Sequence, residues 1–158
     1  MNIKPAIFTS FPPFNFSVSG DDSTDSDYSI STSSITEGEK KRRVLIVDDV
    51  LDVTDILSVF LTRAGFDVVT TDSAPSALSA ALEQQFDLIV SDIGMPSMTG
   101  YELAKVLRAI PRYETVPMVA VTGYSMFGDR QDALKAGFTA FVTKPIDFDS
   151  LLELIEHL

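Results

Sequence analysis

The chain has 158 residues, 45% of them hydrophobic, enough for one domain with a sizeable core. Its 23 acidic and 12 basic residues give a net charge of -11, which repels nucleic acid and anionic lipid, and the absence of cysteine excludes disulfide frameworks and thiolate-ligated metals. No run approaches the roughly 18 apolar residues of a membrane span, and the amino terminus, broken by Pro5, Pro12 and Pro13, lacks the apolar segment of a secretion signal, so a cytoplasmic protein is expected.

Residues 1–42 read as a tail or linker. Within 1–39 there are nine Ser, four Thr and six acidic residues against one base, Lys4, a composition too polar to offset its own ordering entropy. The cluster Phe8, Phe11, Phe14, Phe16 is its one feature that could dock on a partner. The basic run "KKRR" at 40–43 abuts an acidic domain and is read as a solvated lead into the first strand rather than a nucleic-acid patch. Residues 43–158 form the folded domain.

From Val44 onward, apolar runs alternate with helical patterns. "VLIV" (44–47) is a strand, and its lack of alternation suits a parallel sheet covered on both faces. A helix follows, with Asp52 and, three residues on, Asp55 read as a capping arrangement at its start, Val53, Ile56, Leu57, Phe60, Leu61 and Ala64 on its inner face, and Gly65 as its stop. "DVVTT" is the second strand; Ser73 and Pro75 open a second helix that turns Ala74, Ala77, Leu78, Ala81 and Leu82 inward. "DLIVS" is strand three, "YELAKVLRAI" helix three, "PMVAVT" strand four, 126–136 a weaker helix, "TAFVT" strand five and "DSLLELIEHL" helix five. Five strand–helix units joined by short connections predict an α/β fold, a parallel sheet with helices on both faces.

Such a sheet gathers its chemistry at the carboxyl ends of the strands. Asp48 and Asp49 follow strand one, Asp92 follows strand three, Thr122 ends strand four and Lys144 follows strand five. Taken singly, such residues are more often helix caps, turn formers, strand terminators or surface groups. Converging on one edge, three carboxylates repel unless a cation shares them. A hard divalent ion, Mg²⁺, suits oxygen donors of this kind, and Lys144 adds a further positive charge. Met95, Met98 and Met118 read as packing residues, and His157, the sole histidine, as a solvated group in the last turn.

The motifs "VDD" (47–49), "SDIGMPSMTGYEL" around Asp92, "VTGY" around Thr122 and "FVTKPID" around Lys144 resemble the receiver domain of two-component response regulators, over the whole stretch from Val44 to Leu158. The resemblance implies a flavodoxin-like doubly wound sheet of order 2-1-3-4-5 with five helices. It implies phosphoryl transfer from the phosphohistidine of a histidine kinase or histidine phosphotransfer protein to Asp92. It implies Mg²⁺ held by Asp49, Asp92 and the backbone carbonyl of Gly94, with Asp48 acting through water, and catalysis assisted by Thr122 and Lys144. Thr122 and Phe141 would form the switch, Phe141 lacking the hydroxyl of the tyrosine alternative. The bond between Lys144 and Pro145 would be cis. Output is expected through a downstream protein, onward phosphotransfer, or a homodimer formed by helix four, strand five and helix five, with no direct nucleic acid contact and no membrane insertion. The "VTGY" and "GFTAFVTKPID" stretches are similar to receivers of hybrid sensor kinases, and Gly94 and Tyr124 flank the site where the acyl phosphate's lifetime is tuned.

Two other readings stay open at this stage. A haloacid-dehalogenase-like phosphatase also uses an aspartate nucleophile with Mg²⁺, but wants an acid two residues later, where this chain has Gly94. A non-phosphorylated receiver-like interaction module would ordinarily have lost one of the acidic, threonine or lysine positions, and none is lost.

Overall fold

The structure is a computed structural model and describes residues 40–123 and 127–158. The expected tail over 1–39, Tyr124, and the first residue of the fourth helix as predicted lie outside the described residues. In chain order the elements are β1 (Arg43–Val47), α1 (Leu51–Arg63), β2 (Asp67–Thr71), α2 (Ala74–Glu83), β3 (Leu88–Asp92), α3 (Gly100–Arg108), a 3₁₀ turn at Pro111–Tyr113, β4 (Met118–Thr122), α4 (Phe127–Ala136), β5 (Ala140–Thr143) and α5 (Phe148–Glu156). All strand pairs are parallel, in the order β2-β1-β3-β4-β5. This is the flavodoxin-like order read from the motifs.

The unbroken apolar strands are explained by two packed layers. Leu45, Val47, Ile89, Met118 and Ala120 face one way, into a core closed by α2, α3 and α4. Val44, Ile46, Leu88, Val90, Val119 and Val121 face the other way, against Leu57 and Leu61 of α1 and Leu151 and Ile155 of α5. Every one of these strand residues is at most 1% exposed, and complete burial of such a side chain contributes about 1.5–3 kcal/mol. Met95 and Met118 are buried and Met98 packs against the first layer, as expected of packing residues. His157 is exposed, with Nδ1 2.6 Å from the Glu153 carbonyl.

Three inner-face assignments need correction. Ile56 is 55% exposed and Leu82 62% exposed. Ala64 is exposed and lies just past α1 as its C-cap residue. The sheet covers a narrower arc of each helix than the apolar pattern spans, so α1 buries Thr54, Leu57 and Leu61 and α2 buries Ala74, Ala77 and Ala81. The start of α1 also differs from expectation. Val50 precedes the helix without any side-chain cap, so Asp52 lies inside the first turn, where its charge favours the helix dipole. Arg42 and Arg43 are less solvated than "KKRR" suggested. Arg42 donates to the Ile155 carbonyl at 3.1 Å beside the Phe66 ring, and Arg43 pairs with Asp67 at 2.7 Å.

Candidate functional site

β1 and β3 are neighbours at the centre of the sheet, with Val47 opposite Ser91. Asp48 therefore leaves the sheet beside Asp92, the last residue of β3. β4 pairs with β3 on the other side, Val121 opposite Asp92, which sets Thr122 one residue beyond at the same edge. β5 pairs Thr143 with Thr122, and the Lys144 amide donates to the Thr122 carbonyl at 2.7 Å. The parallel registers thus deliver residues from four strand ends to one place, and the Lys144–Pro145 peptide is cis.

Lys144 bridges two of the carboxylates. Its Nζ lies 2.8 Å from Asp48 Oδ2 and 2.9 Å from Asp92 Oδ1. Asp48 is 2% exposed and Asp92 6% exposed, whereas Asp49 is open to solvent. Carboxylate oxygens from all three aspartates lie within 4.8 Å of one another. Both oxygens of Asp48 are engaged, since Oδ1 accepts from the Val50 amide at 2.9 Å. The turn leading into α1 is shaped by that bond.

Burial raises the pKa of Asp92; Lys144 opposes the rise by hydrogen bond and charge, the Asp48 charge adds to it, and the Gly94 amide, donating to the carboxylate, opposes it. For Lys144, burial acts against the charge, but hydrogen bonds and attraction from Asp48 and Asp92 outweigh it and hold the pKa above the usual lysine value. The edge is therefore a partly dried cluster of negative charge with one fixed cation. A second cation would relieve the repulsion that remains.

Thr122 is buried at the end of β4. Phe141, half-buried on β5 opposite Ala120, packs against the layer formed by α2, α3 and α4. Gly94 is exposed, and a Cβ placed on it would lie 3.4 Å from Asp92 Oδ2, so its backbone runs directly alongside the carboxylate.

Three supporting features escaped the sequence reading. Gly100 opens α3 against the end of β3: a Cβ there would collide with the Asp92 carbonyl oxygen and come within 2.9 Å of Ile93 Cα. Thr99, just before it, forms a capping box with Glu102, the Glu102 amide donating to the Thr99 hydroxyl at 3.3 Å and the Thr99 amide to the Glu102 carboxylate at 2.9 Å. The signal was present as the T-x-x-E spacing of "TGYE". The third is Arg108, whose guanidinium donates to the carbonyls of Tyr113, Val116 and Gly137. Gly100→Ala is expected to cost about 2 kcal/mol, because both obstructing atoms are backbone and cannot swing aside. Thermal unfolding measures the loss, and a shifted Asp92 amide resonance would report the displaced strand end; an unchanged midpoint would show that the contact yields freely.

The chain is similar to known proteins in sequence and in fold. A family model for the response regulator receiver domain matches residues 44–156. Response regulator PleD of Caulobacter vibrioides is 35% identical over 116 residues, 73% of this chain, which spans only 26% of PleD. Chemotaxis response regulator CheY4 of Vibrio cholerae superposes with a TM-score of 0.72 at 31% identity, covering 75% of this chain and 98% of that one. The receiver domain of sensor histidine kinase PA1611 from Pseudomonas aeruginosa, which has a magnesium ion in its active-site cleft, superposes with a TM-score of 0.69 at 25% identity, covering 75% and 97%. With sheet order, strand-end chemistry and a match across nearly the whole described fold in agreement, the chain belongs to the response regulator receiver domain family of two-component signal transduction.

Proposed function

We propose that residues 43–158 act in the cytoplasm as a phosphorylation-driven switch in which Asp92 accepts a phosphoryl group from the phosphohistidine of a histidine kinase or histidine phosphotransfer protein. The observation that carries this reading is the Lys144 ammonium held 2.8 Å from Asp48 and 2.9 Å from Asp92, with the open carboxylate of Asp49 alongside. Oxygens spaced within 4.8 Å suit a shared ion of about 2.1 Å bond length. Asp49, Asp92 and the Gly94 carbonyl would hold Mg²⁺, and Asp48, already committed through both oxygens, would act through water. Bound there, Mg²⁺ supplies charge neutralisation for the incoming phosphoryl oxygens.

In the transfer, a carboxylate oxygen of Asp92 attacks phosphorus, the O–P bond forming as the N–P bond of the donor breaks and the imidazole departs. Lys144 balances charge on the transferred oxygens, and the Thr122 hydroxyl donates to one of them. The work of the chain is positioning and electrostatics rather than turnover of a substrate; beyond this self-catalysed transfer and the later hydrolysis, it is a signalling module and not an enzyme. The phosphoryl group adds roughly -1.5 to -2 charges beside Asp48 and Asp49. Thr122, drawn toward it, releases space for Phe141, and the face made by α4, β5 and α5 repacks for a downstream protein or a second copy. Among the described residues no helix is long and apolar enough to cross a membrane.

Acetyl phosphate with Mg²⁺ tests the reading. One phosphoryl group, stable to acid and labile to base, is expected on the peptide containing Asp92, located by mass spectrometry. Labelling on any other residue would defeat the assignment. No labelling at all, with acetyl phosphate or a panel of autophosphorylated kinases, would favour a receiver-like interaction module.

A further inference from the structure

Among the described residues, the acids, serines and threonines that are buried are Asp48, Thr54, Ser91, Asp92 and Thr122. Asp48, Asp92 and Thr122 belong to the strand-end site, and the Thr54 hydroxyl donates to the Leu51 carbonyl of its own helix at 2.8 Å. Ser91 is left over. It is 1% exposed, and the strand register sets it between Val47 and Ala120 in one row of the sheet. Alternation along β3 puts it on the side of Ile89, the face closed by α2, α3 and α4, where the buried strand residues Leu45, Val47, Ile89, Met118 and Ala120 are all apolar. A hydroxyl among such neighbours costs free energy unless it is bonded, and alanine would fill the position without that cost. The bond it makes runs to the carbonyl oxygen of the next residue, Asp92, at 2.8 Å.

That carbonyl belongs to the peptide joining Asp92 to Ile93, where β3 ends. Three backbone contacts hold the same short stretch. The Ile93 amide donates to the Val121 carbonyl at 3.1 Å, the Gly100 amide donates to the Ile93 carbonyl at 3.0 Å, and Gly100 lies so close that a Cβ there would collide with the Asp92 carbonyl oxygen. Ser91 adds a fourth contact, made by a side chain and therefore removable by one substitution. Fixing this peptide fixes two things together. It sets the direction in which the Asp92 carboxylate leaves the backbone, and it sets the course of the chain through Ile93 to Gly94, whose carbonyl is assigned to the metal.

We propose that Ser91 is a positioning residue for phosphoryl transfer, holding the end of β3 through the Asp92 carbonyl so that the Asp92 carboxylate and the Gly94 carbonyl are presented in register. The inference rests on the assignment of Asp92 as phosphoacceptor. Ser91 takes no part in bond making. Misplacing a nucleophile by about 1 Å can cost roughly 100-fold in rate, so a strand end freed to rock by a fraction of that is expected to cost about ten-fold. The hydroxyl contributes little to stability, because its bond does not much more than offset its burial. Positioning and a merely structural role therefore predict different losses.

Ser91→Ala and Ser91→Cys in the full chain test it. Alanine removes the hydroxyl, whereas cysteine keeps the volume with only a weak donor. Both variants should take up a phosphoryl group from acetyl phosphate at saturating Mg²⁺ about ten-fold more slowly than the wild type, with thermal midpoints within about 3 °C of it. Amide hydrogen exchange of the metal-free protein gives a second readout, independent of transfer. The Ile93 and Gly100 amides should exchange several-fold faster in both variants while those of β1 keep wild-type rates. Wild-type uptake by both variants would overturn the proposal, and so would a slow alanine variant beside a cysteine variant of wild-type rate, which would show that the position needs volume rather than a donor. A wild type that takes up no phosphoryl group would count against the phosphoacceptor reading instead. The exchange comparison then decides by itself, faster exchange supporting the hold on the strand end and unchanged exchange overturning it.

Discussion

Asp92→Asn is expected to abolish phosphoryl uptake completely while making the metal-free protein more stable at neutral pH. The first effect follows because an amide oxygen is a poor nucleophile and no other carboxylate combines the contact to Lys144 with a position at the end of β3. The second follows from linkage. Burial first, with the Asp48 charge adding to it, raises the Asp92 pKa above the ordinary 3.8, so the folded chain holds that proton more tightly than the unfolded one. Stability contributed by this group is highest below pH 3.8, falls as pH rises through the raised folded value, and stays at its lowest above it. Asparagine has no proton to lose and escapes that decline. The midpoint difference between variant and wild type should therefore shrink as pH is lowered past the carboxylate range, and Mg²⁺ should stabilise the variant less than the wild type. Thermal scans across pH, with and without Mg²⁺, read both; a variant less stable than the wild type at neutral pH would mean that the Lys144 contact outweighs the burial of the charge.

Arg108→Met is expected to destabilise the fold by about 3 kcal/mol, lowering the thermal midpoint by roughly 10 °C. Arg108 has no carboxylate partner in the described structure. Its guanidinium donates instead to backbone carbonyls: Gly137 at 2.8 and 2.6 Å, Tyr113 at 2.6 Å, Val116 at 2.7 Å and Glu114 at 3.2 Å. Burial lowers its pKa, the sign of a charge stripped of water and served by protein dipoles. One side chain thus ties the end of α3 to the 3₁₀ turn, to the lead into β4 and to the α4–β5 turn. Gly137 makes the approach possible, with φ at 109° and no Cβ, since a Cβ there would lie 2.7 Å from Arg108 Cγ. Methionine keeps much of the alkyl packing but leaves several carbonyls short of donors. Arg108→Lys should restore less than half of the loss, because one ammonium cannot serve carbonyls in so many directions. Urea unfolding measures both variants, and a loss under about 1 kcal/mol for Arg108→Met would show that water replaces the guanidinium.

The strands and the acidic strand-end edge were legible in the sequence because both depend on local pattern plus one global rule. A run such as "VLIV" without alternation demands cover on both faces, and a sheet covered on both faces with helical crossovers is parallel. Once the sheet is parallel, every strand delivers its carboxyl end to the same side, so Asp48, Asp92, Thr122 and Lys144 were assignable to one edge by position alone. What only the tertiary structure decided is how wide an arc of each helix the sheet covers and where long side chains reach. Val53, Ile56, Leu57, Phe60 and Leu61 look alike in a helical pattern, yet the packing of α1 leaves Ile56 and Val59 facing solvent. Arg108 reads as an ordinary basic residue in a last helical turn, and Gly100 as a loop glycine. Their roles come from contacts with Gly137, 29 residues away, and with the Asp92 carbonyl on another element, and spacing along the chain carries no record of contacts made through the fold.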